Sequence, residues 1–147
     1  MRVVAGMVML VVFGLFVSPA PAAEELELAI IVHPSRTTTT LTVETLKRIY
    51  LKRQRFWDDG HAIVAINQEV ATPAREAFTR IVFSGEAARL PAYWNEQYFH
   101  GVLPPIILGS EEAVVRYVAS RPDAVGYVDA RYVDASVATV LRLRAGS

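Results

Sequence analysis

The chain has 147 residues, 15 basic and 15 acidic side chains, 52% hydrophobic residues and no cysteine. A balance this close to neutral argues against nucleic acid as a partner, because nucleic acid is held through a basic surface patch. The missing thiols exclude a disulfide framework, and the length suits one domain core, not two lobes of ordinary size.

The first stretch is unusually apolar. Met1 and Arg2 precede an almost uncharged run from Val3 to Val17, followed by Ser18-Pro19-Ala20-Pro21-Ala22-Ala23. A short positive start, an apolar middle and an A-x-A site (Ala20, Ala22) describe a secretory signal peptide over residues 1–22, cleaved after Ala22 or Ala23. A run of about 15 apolar residues is short of the roughly 20 that span a bilayer. Without a cysteine to carry a lipid, the expectation is a free periplasmic or secreted protein, with no stable membrane insertion after signal cleavage. Removing residues 1–22 leaves 14 basic against 15 acidic side chains.

From Glu27 to His33 the sequence is a short β-prone apolar run, read as a buried strand. It ends in Pro34-Ser35-Arg36-Thr37-Thr38-Thr39-Thr40. That loop is either an oxyanion loop built from Ser35, Arg36, Thr37 and Thr38 or a solvated connection to the next helix. Thr42 caps that helix, with Glu44 in its first turn and Val43, Leu46, Ile49 and Tyr50 at helical spacing. Leu51 to Arg55 carries its basic end, where cations favour the last carbonyls.

Phe56-Trp57 precede Asp58-Asp59-Gly60-His61, a turn that calls for a positive φ at Gly60, with Trp57 as a core plug beneath it. His61 with two nearby carboxylates falls short of the four ligands of a structural zinc site, so no metal is expected. Ala62 to Ile66 reads as a second buried strand. Thr72-Pro73 is a strong helix start, a hydroxyl cap followed by proline at the first helical position, and Ala74, Ala77, Phe78, Ile81 and Val82 form the apolar face.

A further helical piece spans about residues 86–98, divided near Pro91. Its aromatic set, Tyr93, Trp94, Tyr98 and Phe99, either lines a pocket or, as is commoner at helical spacing, joins the core. Ile106-Ile107-Leu108 is a brief strand. Ser110 caps a helix with Glu111 and Glu112 in its first turn and Val114, Val115 and Val118 facing inward. Ala124 to Val128 is a strand in which Gly126 allows close backbone approach, and Val137 to Leu143 is the last strand. Strands alternating with helices predict an α/β layer with a mostly parallel sheet flanked by helices.

The pattern resembles the solute-binding proteins of phosphate ABC transporters, in particular short single-lobe forms. The likeness rests on Leu41-Thr42 with Leu46, Ile49 and Tyr50, on Phe56 to Ile63, on Phe78 and on Ala124 to Val128. It implies one lobe of a type II periplasmic-binding-protein fold over residues 27–143. In that family the strand matching Ala62–Ile66 runs into an Arg, an Asp two residues later, then Ser-Gly-Thr and an aromatic anchor. With Phe78 on the anchor, those positions fall on Gln68, Val70, Thr72, Pro73 and Ala74, so only the Thr72 hydroxyl survives in kind. Gln68 supplies neither the charge nor the fork of an arginine. Arg75 and Arg36 are the cations nearby.

Two readings follow. One is an exported binding module for phosphate or a related small oxyanion, for transport or sensing, using Ser35, Arg36, Thr37 and Thr38 on one loop and Gln68, Thr72 and Arg75 on the other. The other is an accessory or sensory domain that has lost the anion site and docks to a membrane transporter or sensor protein. No enzyme is expected: the three histidines are scattered and no serine sits in a nucleophile setting. No cofactor is implied.

Overall fold

The computed structural model of the protein describes residues 26–144. The expected signal peptide, residues 1–22, lies outside them. Five strands form one sheet: β1 (Glu27–Val32), β2 (Val64–Gln68), β3 (Ile106–Leu108), β4 (Ala124–Asp129) and β5 (Ala138–Arg144). They lie in the order β3-β2-β4-β1-β5. Four α-helices connect or cover them: α1 (Val43–Tyr50), α2 (Pro73–Phe83), α3 (Leu90–Phe99) and α4 (Glu111–Ser120).

The expected helix starts form as their chemistry dictates. Thr42 accepts from Thr45 N at 3.1 Å, Thr72 from Arg75 N at 3.2 Å and Ser110 from Ala113 N at 3.1 Å. Each hydroxyl satisfies one of the orphan donors of a first turn, a contact worth about 1 kcal/mol. Gly60 has the positive φ that its turn requires, 85°. Strand β2 starts two residues later than expected and runs on to Gln68.

Alternation along the strands sorts the core into two layers. Leu28, Ile30 and Val32 of β1, with Val125 and Tyr127 of β4, pack under α1 and α2 together with Trp57. Ala29 and Ile31 of β1, with Ala124 and Val128 of β4, pack against Val114, Val115 and Val118 of α4. Burying one such aliphatic side chain stabilises the fold by roughly 1.5–3 kcal/mol. Gly126 lies where α4 approaches closest: a Cβ there would stand 2.7 Å from Val114 Cγ1.

The sheet is not mostly parallel. β2 pairs in parallel with β3 and β4, but β1 pairs antiparallel with both β4 and β5 over the longer registers. The sheet is therefore mostly antiparallel by pairing, with β1 the one strand reversed against its neighbours. The physical reason is position: β1 lies between β4 and β5, apart from β2, so the β1-α1-β2 segment is not a crossover between adjacent parallel strands.

Of the aromatics of α3, Tyr93 packs against the core from its rim and the others do not join it. No residue of this helix is buried; Tyr93 and Trp94 are half-buried, while Tyr98 and Phe99 are exposed. Tyr93 is held by its hydroxyl, which donates to Leu51 O at 2.6 Å.

Candidate functional site

Because β1 runs against the sheet, its end and the end of β2 open on opposite edges. Val32 pairs with Val125 near the start of β4, and the start of β2, Val64, pairs beside it with Ala124. The Ser35–Thr38 loop thus meets the beginnings of β2 and β4, whereas Gln68 is the last residue of β2 and Thr72 and Arg75 lie past it. The seven expected anion-contacting residues form two separate groups.

At the first edge Arg36 is fully engaged. Its guanidinium donates to Asp59 at 2.9 Å, to Asp123 at 2.5 Å and to Pro122 O at 2.5 Å, and lies 4.9 Å from the centre of the Trp57 ring. Ser35 is bound up with His33, whose Nδ1 accepts from Ser35 N at 3.1 Å. The shallow cavity here, about 370 Å³, is lined by Arg36, Thr38, Asp58 and Asp59 among others. A cation clasped by two carboxylates, with a third acid on the wall, presents no net positive field to an anion. The Asp59 carboxyl is held down to about 2, first by the His61 N–H and then by the His61 ring and Arg36. This edge is a clasp that ties the β1 loop to the β4 entrance.

The second edge is built differently. Gln68 ends β2 with 1% of its surface exposed, its Nε2 donating to Glu111 Oε2 and to Tyr127 O, each at 2.9 Å. Its side-chain oxygen is buried without a partner. Both amide hydrogens thus go to the end of β4 and the start of α4, so Gln68 locks strand to helix and has no donor left for a ligand. Glu111, which also accepts from Asp129 N, has its carboxyl raised by burial. Thr72 is likewise committed, capping α2 and donating its hydroxyl to Glu69 O at 3.0 Å. Val70, at the position of the family's Asp, is 72% exposed and brings no acceptor.

Arg75 is the group left with charge to offer. It lies half-buried in the first turn of α2 and donates one Nη1 hydrogen bond to Gln68 O at 2.7 Å. Among the described residues no carboxylate pairs with it. A cation there opposes the helix dipole, an arrangement that an anion beside it would relieve. Next to it stand Asn67, whose Oδ1 accepts from Gln68 N at 3.0 Å and from the Tyr127 hydroxyl, and Tyr127 itself, whose hydroxyl is pushed up to about 12 by burial.

Arg75 and Asn67 open into a recess of about 210 Å³ between α2, α3 and the end of β2. An outer groove of about 600 Å³ continues from it, sharing Arg75, Thr79, Leu90 and Trp94. Of the residues gathered here, the sequence pointed to Arg75 and, through the aromatic set, to Trp94. It did not single out Asn67, Thr79, Glu111 or Tyr127 as site residues. A polar Asn-Gln pair closing an apolar strand was the available signal for Asn67; nothing local marks Tyr127 or Thr79.

No protein-family model matches the sequence, and no curated protein matches it. Solved structures do match. An ABC-type phosphate transport receptor from Vibrio cholerae aligns with a TM-score of 0.61 and 21% identity, over 78% of this chain and 46% of that one. A Clostridium perfringens protein solved with bound phosphate aligns with a TM-score of 0.61 and 25% identity, over 78% and 45%. PstS from Borrelia burgdorferi aligns with a TM-score of 0.58 and 16% identity, over 78% and 48%. The chain therefore has the fold of phosphate ABC transporter substrate-binding proteins, as the resemblance implied, and spans about half the length of the structures it matches.

Proposed function

We propose that the chain is an exported solute-binding module, not an enzyme, that holds a small oxyanion at the open end of β2 against Arg75. The observation that carries this reading is a guanidinium in the first turn of α2, free of any carboxylate among the described residues, at the mouth of a recess. The similar structures, one of them solved with phosphate, support an anion at this kind of fold. Export rests on the signal peptide read over residues 1–22, and no helix among the described residues is long and apolar enough to cross a membrane. The Ser35–Thr38 loop plays no part in binding; it clasps the opposite edge.

A charge-assisted hydrogen bond contributes about 1.5–3 kcal/mol, so Arg75→Ala should weaken binding roughly ten- to hundredfold. Isothermal titration with phosphate and sulfate tests this. No binding below millimolar by the unsubstituted protein would overturn the reading.

A second reading, docking to a membrane transporter or sensor protein without a small ligand, is favoured by one feature. Strand β3 is an open sheet edge with Ile106 and Ile107 exposed, and Phe99 and Leu103 are exposed near it in the chain. Open apolar edges of this kind pair with other chains unless covered. A photo-crosslinker at Ile107 that yields no adduct in cells beyond that of a control at Ser136 would count against it.

A further inference from the structure

The recess beside Arg75 has a chemistry that bare phosphate does not match. The polar groups of its lining are the Arg75 guanidinium, the Asn67 amide, the Thr79 hydroxyl and the Tyr50 hydroxyl, the last of them committed to Ile66 O at 2.7 Å. Asn67 Oδ1 is already occupied, so the amide offers its Nδ2 as a donor; Arg75 gives Nη1 to Gln68 O and also hydrogen-bonds the Tyr127 hydroxyl, which leaves the rest of its five-donor fork. The remaining wall is apolar, with Leu90, Trp94 and Ile107 prominent; the outer groove continues along Leu90, Pro91 and Trp94, with Glu76, Arg80 and Ser84 also among its lining residues. A tetrahedral inorganic oxyanion seated on Arg75 would turn its other oxygens toward that wall, where they would lose water without gaining a partner. An apolar group attached to the anion would instead cover the wall and release its water.

Size points the same way. Pockets for small organic ligands occupy roughly 300–1,000 Å³. The recess alone, about 210 Å³, is below that range, and the groove that continues from it, about 600 Å³, brings the pair within it. A head group on Arg75 with a ring or short chain running along Trp94 would use both.

We propose that the ligand of this site is a small organic anion: a carboxylate or phosphate head bound by Arg75, Asn67 and Thr79, carrying an apolar body that lies against Trp94 and Leu90. The proposal rests on the oxyanion reading above and names the class of solute for the same site.

The test is titration of the protein with phenyl phosphate, benzoate, inorganic phosphate and benzyl alcohol, followed by calorimetry and by the change in tryptophan fluorescence. Trp94 is at the site, whereas the other tryptophan, Trp57, is buried near the opposite edge. Phenyl phosphate or benzoate should bind at least tenfold more tightly than inorganic phosphate and benzyl alcohol, the tighter of the two identifying the head group. Trp94→Ala should remove that advantage, and Arg75→Gln should weaken both organic anions at least tenfold. Inorganic phosphate binding as tightly as the tighter of the two organic anions would overturn the ligand class and leave the oxyanion reading standing. Benzyl alcohol binding as tightly as the tighter of the two would overturn the anionic head. Binding of none of the four would overturn both readings, and because the comparison among ligands uses the unsubstituted protein it does not depend on how well a variant folds.

Discussion

Arg36→Ala separates a structural clasp from an anion site. The side chain is 11% exposed and holds Pro122 O, Asp123 and Asp59 while stacking on Trp57. Asp123 is about one-third exposed, so its pairing is discounted to about 1 kcal/mol, the upper end for a surface pair. The bond to Pro122 O adds about 1 kcal/mol and the stacking on Trp57 about 1 kcal/mol. At the exposed Asp59 carboxylate, water replaces the arginine. The expected loss is about 3 kcal/mol, which for a domain of this size lowers Tm by roughly 10 °C. Urea unfolding followed by far-ultraviolet circular dichroism measures it, and calorimetric titration measures anion affinity in parallel. A variant as stable as the parent but with weakened anion binding would refute the clasp and return Arg36 to the binding site.

Gly126→Ala should destabilise by about 1–3 kcal/mol, because the new methyl meets Val114 and Val118 in a core with no slack, and urea midpoints will show it. Acid titration followed at the Asp59 carboxyl carbon by NMR should find its midpoint near 2, below the ordinary 3.8. Since the unfolded chain takes up that proton first as pH falls, the Asp59 contribution to stability is complete above about pH 4 and is lost as pH falls through about 2. Arg36→Ala should move that midpoint upward while leaving part of the depression, since the His61 N–H remains; no movement at all would contradict the pairing.

Much of the fold was legible because its signals are local. A hydroxyl before Pro73, two glutamates after Ser110 and an Asp-Gly turn each determine the conformation of a few residues regardless of what packs around them. Strand direction has no such marker. Leu28 to Val32 are buried on both faces, so the segment reads equally well from either end. The expectation of a parallel neighbour came from the alternation of strands and helices alone. That single misreading of direction is what placed Ser35–Thr38 beside Thr72 and Arg75.

Gln68 and Trp94 show the same limit from the other side. Just past the expected end of a strand, a glutamine looks like a ligand contact, but the strand runs on to include it, and its amide is consumed by Glu111 and Tyr127 O, 43 and 59 residues away in the chain. Trp94 fits a core stripe by spacing, yet α3 buries none of its residues, so a half-covered indole is left along a groove shared with Arg75, with which no carboxylate pairs among the described residues. Both outcomes depend on partners distant in sequence. They also exchange roles: Gln68, expected as an anion contact, became a strut between β2 and α4, and Trp94, for which both pocket and core were open, lies along the groove. On the proposed reading, an edge with no cationic fork on its strand and with an indole of α3 along its groove suits a solute that carries its own apolar surface.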